Sequence, residues 1–114
     1  LEVTIDEQGV FKVTMNESLA VALLTNLLKN AFVHNIDGGH IRITVTKNGI
    51  TFRNSGVEHP LNKEHIFERF YQGSKKEGST GLGLAIADSI CRLQHLNIKY
   101  YFEQNEHCFE ISQA

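Results

Sequence analysis

The chain has 114 residues, a formal net charge of −2 and 41% apolar residues. That suffices for one domain with a single core. The charge gives no drive toward nucleic acid or acidic lipid, and no run reaches the ~18 apolar residues of a membrane-spanning helix.

Residues 1–6 alternate, with Val3 and Ile5 on one face and Glu2, Thr4 and Asp6 on the other, and predict a strand. Glu7-Gln8-Gly9 reads as a turn, and residues 10–15 alternate again, so the two predict a hairpin. Asn16 or Ser18 can cap a helix running to about His34. Its stripe of Ala20, Leu23, Leu24, Leu27, Leu28 and Ala31 has the spacing of a buried helical face. Asn26, Asn30 and His34 follow one turn apart on an adjacent face, and Asp37-Gly38-Gly39 ends the element.

Ile41, Ile43 and Val45 alternate on a strand, and Lys47-Asn48-Gly49 places Asn-Gly at a hairpin turn. Ile50, Phe52 and Asn54 continue on the return strand, which Asn54-Ser55-Gly56 leaves as a loop. Residues 63–70 predict a short helical segment, and 72–80 a polar loop. The helix after Gly83 carries Ala85, Ile86, Ile90 and Leu93 on its expected buried side. Residues 98–102 and 108–111 are the last strands, joined at Gln104-Asn105-Glu106. The pattern predicts an α+β two-layer sandwich with a mixed, mostly antiparallel sheet covered on one face by helices, in one domain over 1–114.

Two features limit the chemistry. Cys91 and Cys108 form no CxxC pair, and the six histidines show no HExxH or paired Cys/His spacing. Free thiols in a reducing compartment are expected rather than a disulfide or a structural zinc site. The first residues lack the basic region and apolar core of a signal peptide, and without an initiator Met the chain reads as a fragment of a larger protein.

Four short patterns carry candidate chemistry. Ser79-Thr80-Gly81-Leu82-Gly83-Leu84-Ala85-Ile86 puts two glycines ahead of a helix, whose N-terminal N–H groups and dipole suit a phosphate. It is not a Walker A loop, because no Gly-Lys-Ser/Thr follows, nor a dinucleotide fingerprint, because Ile86 holds the third glycine position. In Asn26-Leu27-Leu28-Lys29-Asn30-Ala31, Asn30 offers a hard neutral oxygen of the kind Mg²⁺ accepts; the plainer alternative is that both asparagines bond loops or face water. Asn54 can read an exocyclic amine with its carbonyl, with Gly56 leaving room for a flat base; a plain turn is the alternative. Ile66-Phe67-Glu68-Arg69-Phe70-Tyr71 offers an aromatic face and an Arg able to reach phosphate, or else a satellite apolar cluster.

Together, in this order, these patterns resemble the N box, first glycine box, F box and second glycine box of sensor histidine kinases, over nearly the whole chain. The resemblance implies the Bergerat ATP-binding fold, shared with gyrase B, mismatch-repair and heat-shock chaperone ATPases. It implies ATP as ligand, Mg²⁺ at Asn30, Asn26 and His34 on the same wall, and Asn54 on the adenine. Gly56, Arg69, Tyr71, Lys75, Thr80, Gly81, Leu82, Gly83 and Leu84 would complete the nucleotide site, under a lid spanning about 72–80. The implied protein is a protein-histidine kinase of a two-component system. Its acceptor His lies on a separate dimerisation domain, its partner is a response regulator, and its parent is a homodimer anchored in the inner membrane with this domain in the cytoplasm. Such a fragment would contain no catalytic residue of its own and bind no nucleic acid.

Three positions depart from the family pattern. Asn54 stands where many members have Asp, which implies weaker ATP binding; Glu58 replaces the second glycine of its box; and Val33 stands where a Lys is often found. Asn26 occupies the position of the general-base Glu of the hydrolytic relatives and serine kinases, which favours transfer to His over a stand-alone ATPase. A non-catalytic interaction module is the other alternative.

Overall fold

The computed structural model describes residues 1–69, 71 and 82–114. Its elements are β1 (Glu2–Glu7), α1 (Glu17–Val33), β2 (His40–Thr46), β3 (Gly49–Asn54), α2 (Gly83–Leu93), β4 (Leu96–Glu103) and β5 (Glu106–Gln113). The strands form one sheet in the order β1-β2-β3-β5-β4. The β1–β2 pair is parallel and the other three are antiparallel, so the sheet is mixed and mostly antiparallel as expected. No helix among the described residues is long and apolar enough to cross a membrane.

Register explains the core. Ile5, Ile43, Phe52, Phe109 and Tyr100 lie in one cross-strand row. Leu23 and Leu27 of α1 and Ala87, Ile90 and Cys91 of α2 belong to the same buried cluster as Phe52, Tyr100, Phe109 and Ile111. Both helices therefore cover one face. The other face is polar; there Glu106, which is buried, takes a bidentate grip from Arg42 at 3.0 and 2.6 Å and a bond from His40 at 2.7 Å.

Several expectations are corrected. Residues 10–15 form no strand, and β1 has no hairpin partner; α1 carries the chain across to β2, and a crossover of that kind leaves its two strands parallel. Within the segment, Phe11 and Met15 pack against the core while Val10 and Val13 are exposed. The two-residue loop after β2 is Lys47-Asn48, flanked by the Thr46–Gly49 pair, and neither loop residue has a positive φ. Gly49 answers a different need: a β-carbon there would lie 2.1 Å from the carbonyl oxygen of Ile111. Between β4 and β5, Gln104 (φ 53°) and Asn105 (φ 59°) take the paired left-handed conformations of a type I′ turn.

Both helices settle in a phase the apolar pattern did not fix. Asn16 caps α1, its side chain accepting from the Leu19 N–H, and Leu23, Leu27 and Ala31 are buried, but Leu24 is exposed. On α2 the buried residues are Ala87, Ile90 and Cys91, whereas Ile86 and Leu93 face outward. Residues 63–69 are a run of turns closed by His65 N–H to Asn62 O and Glu68 N–H to His65 O rather than a helix. They still bury Ile66 and set Phe67 edge-on to Phe109 at 6.3 Å. Phe70 and the expected lid over 72–80 lie outside the described residues.

Candidate functional site

The helix pair supplies the first part of the site. Asn26 is partly buried, and its Nδ2 donates to the Ala22 carbonyl one turn back at 2.8 Å. That leaves Oδ1 turned toward α2, where a β-carbon at Gly83 would come within 3.2 Å of it. Asn26 and the first residue of α2 therefore lie close together, although 57 positions separate them. Glycine at 83 permits that approach. Asn30 is half-buried one turn further on, and its carboxamide makes no hydrogen bond among the described residues.

Leu82 occupies the N-cap of α2 and gives no side-chain bond, and the first turn contains no acid. A Ser, Thr, Asp or Asn there would have met one of the first N–H groups. A leucine side chain cannot serve as that acceptor, and the positive end of the helix dipole lies at this first turn. Leu84 packs against the core from the same turn. Lys75, Thr80 and Gly81 lie outside the described residues.

The strand-end loop supplies the second part. Asn54 is 2% exposed on the core face of the sheet, in a row with Ile41 and His107. Its Nδ2 donates to the Ser55 carbonyl at 2.8 Å, while its Oδ1, equally buried, has no partner among the described residues. The Ser55 oxygen can only accept, so the amide must face this way round. A buried carbonyl without a donor is costly, and it is the kind of group that a ligand satisfies.

Gly56 was expected to make room for a base. On the side where a side chain would stand it meets its own neighbours: a β-carbon would lie 2.9 Å from the His34 carbonyl and 3.1 Å from the His107 ring. So His34, the C-cap of α1, meets this loop through its backbone. Glu58 is exposed and has no positive φ, so its position makes no demand for glycine.

Arg69 and Tyr71 sit on the turn segment. Arg69 is exposed; Tyr71 is half-buried against the core, and its hydroxyl accepts from the Asn62 N–H at 3.1 Å. The structure thus brings together Asn26 with Gly83, and His34 with Gly56 beside Asn54. It gives Tyr71 a visible task in holding its own segment.

Sequence reasoning passed over three residues that fix the loop. Asn35 donates to the carbonyls of Ala31 and His40 at 3.2 and 2.9 Å and accepts from the Ser55 hydroxyl, tying the end of α1 to β2 and to the loop. Tyr100 and His107 hold the loop further along. The available signal was a His in a strand otherwise patterned with apolar residues on that face. The cysteines are free and buried, and burial pushes both thiols up to about 11, so neither is a ready nucleophile.

A five-strand mixed sheet roofed on one face by two helices, with a buried side-chain acceptor at a strand end that has no partner among the described residues, defines an α+β two-layer sandwich with a candidate ligand site. The family described as histidine kinase-, DNA gyrase B- and HSP90-like ATPases matches residues 15–112, and the chain belongs to it. It is 44% identical over 84 residues to the sensor histidine kinase RppB of Synechocystis sp., covering 66% of this chain and 18% of that protein. It is 40% identical over 90 residues to the heme sensor protein HssS of Staphylococcus aureus, covering 75% of this chain and 20% of that protein. The chain thus spans about a fifth of the length of these relatives. Among solved structures, the nucleotide-free catalytic domain of histidine kinase ThkA superposes with a TM-score of 0.83 at 25% identity, over 96% of this chain and 76% of that one. The mycobacterial sensor histidine kinase MprB shares the fold at a TM-score of 0.77 and 20% identity, over 96% and 78%.

Proposed function

We propose that this domain binds Mg–ATP as the nucleotide-binding part of a two-component sensor histidine kinase. The observation that carries the reading is the buried Oδ1 of Asn54, which has no partner among the described residues and is an acceptor suited to the exocyclic amine of adenine. Guanine has a carbonyl in place of that amine, so a base held in the same pose would offer this acceptor no donor there, and the site favours adenine.

In this reading, the first-turn N–H groups of α2 at Gly83 and Leu84 receive phosphate oxygens, together with Thr80, Gly81, Leu82, Lys75 and Arg69. Asn30 offers its carboxamide oxygen to Mg²⁺, and Asn26 and His34 line the same wall. Mg²⁺, when bound, neutralises charge on the triphosphate. The protein's own share is positioning and electrostatics. Asn26 cannot accept a proton, so this position provides no general base for water. A histidine acceptor brings its own lone pair near neutral pH and needs none.

The acceptor His belongs to a separate dimerisation domain, from which the phosphoryl group passes to an Asp of a response regulator. The parent kinase is a homodimer anchored in the inner membrane, with this domain on the cytoplasmic side. Nucleic acid is not a partner.

Calorimetric titration of the chain with ATP, with and without Mg²⁺, tests this directly. Binding that requires Mg²⁺ and weakens at least about tenfold in Asn30→Ala, a loss near 1.4 kcal/mol, is the expected outcome. No binding at millimolar ATP overturns the reading and leaves a non-catalytic module on the same fold.

A further inference from the structure

His107 lies directly opposite Asn54 in the β3–β5 ladder, on the buried face. Its bonds run in one direction only. Nε2 meets the Val57 carbonyl at 2.7 Å, and a carbonyl cannot donate, so Nε2 bears the hydrogen. Nδ1 of the neutral ring is then an acceptor, and the Tyr100 hydroxyl donates to it at 2.7 Å. That hydroxyl oxygen in turn accepts from the Leu61 N–H at 3.0 Å.

Both ends of this chain of bonds fall on one loop. Val57 and Leu61 are stapled to β5 and β4 through two side chains, starting three residues after Asn54. The ring is also packed: Tyr100 stacks at 5.9 Å, Phe102 lies at 4.8 Å, and Gly56 abuts the ring edge. The titratable groups that reach it among the described residues are Tyr100 from β4 and His59 from the loop. Glu106, its neighbour on β5, serves the opposite face with Arg42 and His40. No carboxylate in this set balances a charge on the ring.

We propose that His107, acting with Tyr100, is a positioning residue for the base end of the nucleotide site and makes nucleotide binding weaken in acid. This rests on the nucleotide reading above. A second proton would go to Nδ1, which then faces the Tyr100 oxygen as a donor. The Tyr100 hydroxyl would have to turn away and leave its hydrogen without an acceptor in a buried position. The buried cation would also lack a counter-charge. Either consequence loosens the staple and, with it, the loop that frames Asn54. Burial, which already holds the imidazole below its ordinary range, acts in the same sense.

The test is ATP affinity in saturating Mg²⁺ from pH 7.5 to 5, for the unmodified chain, His107→Gln and Tyr100→Phe. Gln keeps a donor for Val57 and does not titrate. Dividing the unmodified chain's affinity by that of His107→Gln removes the protonation of ATP itself. The expected ratio is near one-to-threefold at pH 7.5 and drops several-fold toward pH 5, within the limit of about tenfold per pH unit set by one proton. Tyr100→Phe, which keeps the ring and deletes the hydroxyl, is expected to weaken binding several-fold at pH 7.5. It is the deciding variant if His107→Gln fails to fold.

Imidazole nitrogen NMR on the nucleotide-free chain is expected to show His107 as the Nε2–H tautomer, with the Val57 and Leu61 amides shifting as it titrates. A ratio that stays constant with pH, or Tyr100→Phe binding as the unmodified chain does, overturns this proposal alone. Absence of nucleotide binding in all three proteins overturns the nucleotide reading and this proposal with it.

Discussion

At Asn54 one carboxamide performs two tasks: its N–H₂ holds the Ser55 carbonyl, and its oxygen is left open among the described residues. Many relatives are expected to have Asp there, and the comparison has a physical consequence in this chain. Asn54→Asp would lose the donor to Ser55 and set a buried carboxylate beside a carbonyl oxygen. A stability loss of about 1–3 kcal/mol is expected, measured by urea denaturation of the free chain. A variant as stable as the original would show that Ser55 finds another donor. Where aspartate serves as the acceptor, the loop must supply a different partner for the backbone; here the asparagine is matched to its own loop.

At the scale of elements, the sheet and helices depend on a few close approaches. Gly49 has no left-handed φ, yet a β-carbon there would collide with the backbone of Ile111 on the neighbouring strand. Gly49→Ala is expected to cost about 1–3 kcal/mol through forced strand displacement. Asn16→Ala removes the acceptor for the Leu19 N–H and is expected to cost about 0.5–2 kcal/mol. Thermal melts of the two variants check both figures, and a neutral Gly49→Ala would mean that β3 and β5 separate without penalty at that end. Gly83 belongs to the same class of contact, since it lets the start of α2 rest against Asn26 of α1. The junction of the two helices is therefore where the N box and the second glycine box meet.

For the whole molecule, two buried groups set the response to acid. Desolvation pushes the Glu106 carboxyl upward, but its bonds to Arg42 and His40 outweigh it and hold the group below its ordinary 4.5. His107 is held below its ordinary 6.5, chiefly by burial. In both cases the unfolded chain binds protons more readily than the native one. Stability is therefore greatest above both ordinary values and falls as pH drops. The His107 contribution is lost first, as pH falls below about 6.5 toward its native value, and the Glu106 contribution below about 4.5. Melting temperature is expected to be level between pH ~7 and ~9, above which the raised thiols of Cys91 and Cys108 lower it, and to decline below pH ~7, with the first part of the acid decline absent in His107→Gln. An unchanged profile in that variant would place the acid sensitivity elsewhere.

The order of the elements, the α1 stripe of Leu23, Leu27 and Ala31, the turns at 47–48 and 104–105, and the four boxes were legible in the sequence by itself. Each depends on residues within a turn or two of one another, where spacing and backbone preference act directly. The same local rules misread residues 10–15, because alternation cannot tell a strand from a crossing segment that buries Phe11 and Met15. They also left both helices out of phase at Leu24, Ile86 and Leu93, because an apolar stripe wider than its contact has no unique centre. Tertiary structure alone decided that β1 runs parallel to β2, that Gly56 yields its space to His34 and His107, and that Asn54 faces His107 across the sheet. Those facts come from contacts between segments some twenty to more than fifty residues apart in sequence, and the energy that selects a register is spread over the packed face rather than encoded at any one of its positions.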